Sequence, residues 1–242
     1  MRRVLTPEHM DEPGVPKAEL DRALGFIRAV NARLGGSAAL IAHLKRWSAR
    51  WPKGRPVTLV DIATGSADIP IAAVRWARSR GHDLRVTGID LHETTLDLAR
   101  EHLARHPDVA DAIALESADA LTLTSRFEPA SFDYAHAGMF LHHLSFEKAL
   151  TVLRIMDRLA RCGLVLNDLN RSPVAAAGIY LLTLAAPPMV RHDARVSVRA
   201  GFSKAEVLDM ARRLELDYCR YHLRVLGQRF TLAGEKPRAW EP

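Results

Sequence analysis

The sequence predicts an α/β protein: a doubly wound, mostly parallel sheet with helices on both faces and an antiparallel hairpin strand at its C-terminal end. Three observations carry this. From residue 57 onward, short strand-like apolar runs alternate with segments of helical periodicity, the pattern that builds a parallel sheet. The first run, VTLVDI (57–62), is apolar almost without interruption, as expected of a strand covered on both faces. The last two runs, 217–225 and 228–236, are separated only by Leu226-Gly227, a gap that allows an antiparallel hairpin and nothing longer.

Residues 1–16 carry Pro7, Pro13, Gly14 and Pro16 and read as an extended arm. Over 19–34, Leu20, Ala23, Leu24, Ile27, Val30 and Leu34 recur at helical spacing; Gly35-Gly36 stops that helix and Ser37 can cap the next. The segment HLKRWSARWPKGR (43–55) is basic and holds two tryptophans, which would suit nucleic acid. It also fits an amphipathic helix with Leu40, Ile41, Leu44 and Trp47 inward and its cations in water, the simpler account. Residues 1–56 are thus read as an N-terminal arm and helical cap, and 57–242 as the main domain. Within it strands are predicted at 57–62, 84–90, 112–119, 131–138 and 163–169, and helices at 69–79, 94–105, 146–160 and 204–215. The apolar stretch 174–186 is either buried or a lid, and an insertion at about 172–202 is expected to cover the site.

A chain of 242 residues, 48% hydrophobic, can bury one sizeable core. Its first residues hold two arginines with no apolar region behind them, so no secretory signal is expected. The longest apolar run is broken by Pro187 and Pro188 and is too short to span a bilayer; a cytoplasmic location is expected. Cys162 and Cys219 read as small core residues rather than a disulfide or metal pair, and no metal is expected. The net charge of +6 comes mostly from arginines scattered along the chain.

Open α/β sheets bind ligands beyond the carboxyl ends of their strands. Four such places are legible: Asp61 to Asp68 after the first strand, Asp90 after the second, Asp119 after the third, and AHAGMFLHHL after the fourth. Asp90 stands where an acidic side chain accepts from ribose hydroxyls. A pyrophosphate, however, needs a glycine-rich turn, and here the small positions are Ala63, Gly65 and Ala67, flanked by Asp61 and Asp68. Two carboxylates would repel two phosphates. A ligand with a positive charge, a ribose and no phosphate fits better, and S-adenosylmethionine is such a ligand.

With LVDIATGSAD, TGIDL, ESADAL, FDYAHAGMFLHHL and the closing hairpin in view, residues 57–236 resemble the class I S-adenosylmethionine-dependent methyltransferases, in particular the small-molecule and quinone methyltransferases. The resemblance implies a Rossmann-like sheet and S-adenosylmethionine as cofactor. By position it places Ala63, Thr64 and Gly65 along the cofactor; Asp61 acts indirectly on the methionine ammonium, and Asp68 is a further cofactor-binding candidate. Asp90 takes the ribose, Asp119 the adenine amino group, Leu91 and Ala120 flank the ring, and Ala137, near the end of the fourth strand, is counted among the cofactor-binding residues. The chain departs from the family's D-x-G-x-G-x-G at Ala63 and Ala67, and alanine resists the positive φ that glycine adopts there.

The loop after the fourth strand, Ala137 to His143, usually borders the transferred methyl. It lacks an Asn-Pro-Pro-aromatic run and a Pro-Cys pair, which argues against adenine, glutamine or cytosine C5 methylation. An imidazole can take a proton from a phenol or enol at neutral pH. His142 and His143 are the candidate catalytic residues, diverging by about 100° if helical, with His143 preferred; His136 reads as a core histidine. Met139, Arg171, Arg191, Asp193 and Arg199 are candidate acceptor contacts, arginines being suited to acidic or phenolate groups. The expectation is O- or C-methylation of a small apolar or aromatic acceptor by a monomer or homodimer. An RNA or protein methyltransferase, or a cofactor-binding protein without turnover, are the alternatives.

Overall fold

The computed structural model describes residues 1–12, 14–224, 228–237, 239 and 240. Two helices, α1 (Lys17–Arg33) and α2 (Gly36–Trp47), precede β1 (Val57–Ile62). The series continues with α3 (Asp68–Ser79), β2 (Leu84–Asp90), α4 (Glu93–Ala104), β3 (Ile113–Ser117), β4 (Phe132–Gly138), α5 (Phe146–Leu159) and β5 (Ala160–Leu169). Helices α6 (Pro173–Leu182), α7 (Pro188–Ala200) and α8 (Lys204–Arg213) follow, then β6 (Arg220–Arg224) and β7 (Arg229–Glu235). The sheet order is β3-β2-β1-β4-β5-β7-β6. Strands β1 to β5 pair in parallel, and β7 runs antiparallel between β5 and β6. The predicted fold class holds; the predicted turn at Leu226-Gly227 and the arm residue Pro13 lie outside the described residues.

Successive residues of β1 point to opposite faces, and each face has its own core. Val60 and Ile62 join Leu153, Met156, Leu164 and Phe230 on the α5/α8 side, while Val57 and Leu59 join Leu40, Leu44, Trp47 and Val74 on the α2/α3 side. That double coverage is why VTLVDI is apolar throughout. Trp47 and Trp51 are buried, Trp47 stacking on Tyr134 at 5.2 Å and Trp51 donating to the Tyr134 hydroxyl at 3.0 Å. The aromatic half of the basic 43–55 pattern therefore belongs to the core.

The sequence shows no helix over 190–203, yet α7 spans Pro188–Ala200. Its inward face is part polar (Asp193, Ser197) and its apolar residues are sparse, so the periodicity is masked; Pro188 at its first turn starts it. Strand β5 begins at Ala160, directly where α5 ends, three residues earlier than predicted. Helix α6 buries only Ala175 and leaves Val174, Tyr180 and Leu181 exposed, as a covering helix does.

Asp133 pins the amino-terminal ends of the central strands. It accepts from Arg55 at 2.9 and 3.1 Å, from Arg161 at 2.5 and 3.1 Å and from the Thr58 N–H at 3.0 Å. Burial alone would raise this carboxyl, but Arg55, the Thr58 N–H and Arg161 hold it below the usual range. Asp133→Ala is expected to cost about 2–3 kcal/mol at pH 7, since a backbone donor and two cations lose their acceptor. Because the folded pKa is depressed, this contribution is full above the unfolded value of about 3.9 and is lost as pH falls below it. Urea unfolding of both proteins at pH 7 and near pH 3 should show the gap closing.

Candidate active site

The site is built on the turn between β1 and α3. Asp61, 2% exposed at the end of β1, accepts from the Thr64 hydroxyl at 2.7 Å and from Nδ1 of buried His136 at 2.5 Å. The Thr64 N–H donates to the Ile89 carbonyl at 2.8 Å. The Gly65 N–H donates to Asp90 at 3.0 Å, and the His92 N–H to the other oxygen of Asp90 at 3.2 Å. The turn is left-handed at three points: Ala63 (φ 57°), Gly65 (φ 55°) and Ala67 (φ 58°). The alanines therefore adopt the glycine geometry at a cost of about 1–2 kcal/mol each.

One cavity of about 710 Å³ runs over this turn, within the range of about 300–1,000 Å³ usual for ligand pockets. The strand order fixes the sequence of its walls along the sheet edge. Asp119, Ala118 and Ala120 lie past β3, Asp90 and Leu91 past β2, and Ala63, Thr64, Gly65 and Asp68 past β1. Met139, His142 and His143 lie past β4, and Leu169 past β5. Beyond them Ile179, Leu182, Val190 and Val198 of α6 and the residues after it supply an apolar wall, and α1 adds Phe26, Ile27 and Val30. Leu91 is exposed at the rim, and Asp119 accepts from the Leu121 N–H at 2.8 Å, which shapes the third loop.

Burial raises the carboxyls of Asp90 and Asp68, against the N–H groups that bind Asp90 and against Asn31 and Ser66 at Asp68. Asn31 of α1 donates to Asp68 at 2.9 Å. Facing the same cavity is a residue that the strand reading passed over. Arg229 is 1% exposed, and its Nη1 and Nη2 find no hydrogen-bond partner among the described residues. Burial lowers it to about 10, with Asp168 and Asp68 opposing. The signal was there: an arginine in a strand where its face-mates Thr231 and Ala233 are both buried.

His142 and His143 lie in a short 3-10 turn, Leu141–His143, where they do not diverge. Their rings are 4.3 Å apart and both Nε2 atoms approach the carboxylate of Glu8, at 3.5 Å from His142 and 3.8 Å from His143. Each Nδ1 donates to a carboxylate: His142 to Asp168 at 2.6 Å, His143 to Asp11 at 2.8 Å. His142 is fully buried and His143 half-exposed beside it. Burial alone would lower His142; Asp168 and Glu8 outweigh it and push it up to about 10. Glu8 comes from the N-terminal arm, which no sequence signal linked to the site. Arg3 ties the arm down by donating to the carbonyls of Ala200 (2.6 Å) and Leu144 (2.7 Å).

Several predicted contacts take other places. Ala137 is fully buried in the α5-side core, because its side chain points across the sheet rather than beyond its end. Arg171 forms a double hydrogen bond with Glu206 at 3.0 and 3.1 Å and is turned away from the cavity toward α8. Arg191 and Arg199 are not on the cavity wall, Arg199 being exposed on the outer face of α7. Asp193 does face the cavity, but its carboxylate accepts the N–H groups of His9 and Met10 at 2.8 and 3.1 Å, so it holds the arm.

Residues 57–163 match the protein family described as "Methyltransferase domain". Over that stretch, from β1 into β5, the chain is similar to a methyltransferase domain. Solved structures share the fold. A candidate O-methyltransferase from Nostoc punctiforme is 19% identical, with 88% of this chain and 60% of that one covered at a TM-score of 0.60. This chain thus spans about three fifths of that protein's length. A SAM-dependent methyltransferase from Aquifex aeolicus is 15% identical, covering 91% and 98% at 0.60. The magnesium protoporphyrin IX methyltransferase of Synechocystis, solved with bound S-adenosylhomocysteine, is 13% identical, covering 93% and 90% at 0.57. No curated protein sequence matches the chain.

The residues lining the cavity suit S-adenosylmethionine. The orphaned guanidinium of Arg229 and the buried carboxylate of Asp68 offer opposite charges to an amino-acid end, and Asp90 offers acceptor oxygens to a ribose. Ala63→Gly is expected to raise stability by about 1 kcal/mol by relieving its left-handed strain. Ala67→Gly is expected to be near neutral, since its fully buried methyl, worth about 0.8 kcal/mol, is lost at the same time. Thermal unfolding of the two variants checks the difference.

Proposed function

We propose that this protein is an S-adenosylmethionine-dependent methyltransferase that acts on a small apolar or aromatic acceptor through a phenolic or enolic hydroxyl, giving O-methylation or methylation at the adjoining carbon. The observation that carries the proposal is the order of groups along the sheet edge. Cofactor-type contacts lie past β3, β2 and β1, the histidine pair past β4, and an apolar wall past β5. An acceptor lying against Leu169, Ile179 and Val198 would have its hydroxyl beside His142 and His143, on the methyl side of the turn.

Asp90, the Gly65 turn, Asp68 and Arg229 are the residues that would hold S-adenosylmethionine, which when bound supplies an electrophilic methyl on a sulfonium. The apolar wall excludes water from the nucleophile and orients it, the largest contribution available to a displacement of this kind. Asp168 fixes the His142 ring through Nδ1, leaving Nε2 directed to the cavity side, and Glu8 and His143 stand next to it. His142, pushed up to about 10, already carries its proton, so His143 beside it is the group placed to receive the hydroxyl proton as the oxygen or its conjugated carbon becomes the nucleophile.

Calorimetric titration with S-adenosylmethionine and S-adenosylhomocysteine is the direct test of the cofactor side. Asp90→Ala is expected to weaken both by about 100-fold, the worth of two hydrogen bonds to a charged acceptor. Equal binding by the variant would remove Asp90 from the site. On the acceptor side, His143→Ala is expected to lower turnover of a phenolic or enolic acceptor by about 10²–10⁴-fold. S-adenosylhomocysteine binding by that variant should stay close to wild type, which also shows that it folds.

A further inference from the structure

We infer that Glu8, His142 and His143 form a site for a divalent transition-metal cation of the zinc type, open toward the acceptor cavity. One ligand atom from each lies within 4.8 Å of the others. Both imidazoles point Nε2 at Glu8, and both commit Nδ1–H to a carboxylate, Asp168 in one case and Asp11 in the other. That is the arrangement in which an outer carboxylate fixes the tautomer and sharpens the donor strength of a metal-bound histidine. Two histidines and a glutamate are also a donor set of catalytic zinc sites, which keep a fourth position free.

The spacing supports it. With metal–ligand bonds of about 2.0–2.1 Å, the edge of a tetrahedron is about 3.3–3.4 Å. The Nε2–Oε1 separations of 3.5 and 3.8 Å are close to that edge and long for hydrogen bonds. Glu8 is itself oriented by the Ser197 hydroxyl, which donates to it.

The role of this site rests on the acceptor reading given above. The fourth position would take the acceptor's hydroxyl oxygen. A cation there replaces the imidazole as the activator of the hydroxyl: the O–H bond breaks more readily, the electron pair staying on oxygen and the proton leaving to bulk solvent as the acceptor enters the cavity.

The test is metal binding, read without turnover. Chelator-treated protein is titrated with Zn²⁺ alone by calorimetry and with Co²⁺ alone by visible absorption. One cation per chain is expected, with the absorption of four- or five-coordinate Co²⁺. Glu8→Ala and His143→Ala are expected to weaken binding by at least about 100-fold, and Asp11→Asn, a change near the surface, by about 10–100-fold. A His9→Ala/His192→Ala double variant removes a second histidine pair 4.1 Å apart and should bind as wild type does. Absence of binding, equal binding by Glu8→Ala and His143→Ala, or loss of binding in the double variant overturns the site. Titration with S-adenosylhomocysteine separates the two readings. Cofactor binding without metal binding leaves the methyltransferase reading and removes the metal; metal binding without cofactor binding leaves the metal and removes its role with the acceptor.

Discussion

A single buried carboxylate sets the geometry of the cofactor turn. Asp61 has both oxygens engaged, one by the Thr64 hydroxyl and one by His136, and neither partner can leave without exposing a charge to the core. With Thr64 fixed, its N–H meets the Ile89 carbonyl and the next N–H meets Asp90, so β1 and β2 are locked together at the edge where a ligand lies. Everything beyond the turn, from the start of α3 to the position of Asn31 against Asp68, inherits that fixed point.

The same tether explains how a glycine-poor turn keeps a glycine-type backbone. Ala63 and Ala67 lie on either side of Thr64, and their left-handed conformations are held by contacts worth more than the strain they cost. Burial of Ala67 contributes through its methyl, a group glycine would lack. Alanine at these positions alters the local energy of the turn rather than its shape.

Much of the fold was legible because its signals are local. Period-2 and period-3.6 patterns gave the strands and helices of residues 57–169 to within about three residues at each end, and the short gap before β7 gave the antiparallel ending. The carboxylates along the cavity edge were legible because they follow strands in order. The acceptor side was not, because it depends on long-range meetings. Glu8 reaches His142 across 134 positions of chain, and nothing at either end announces the other. Arg171 and Asp193 have the composition of substrate contacts, but they are consumed by Glu206 and by the arm. The adjacency of two histidines suggested divergence, and a 3-10 turn with carboxylates on both Nδ1 atoms brought them together instead.

The arm's moorings have a consequence for the order in which the molecule matures. Its anchor points, Leu144, Asp193 and Ala200, all come from the second half of the chain. During synthesis, therefore, the first residues to emerge are among the last to find their places, and they must wait solvated while the sheet forms without them. Contacts so distant in sequence are slow to close. Refolding should thus pass through two kinetically separable stages. The tryptophans Trp47 and Trp51 report the first, as the core forms; closure of the Glu8–His142–His143 cluster defines the second, so that competence lags behind compactness.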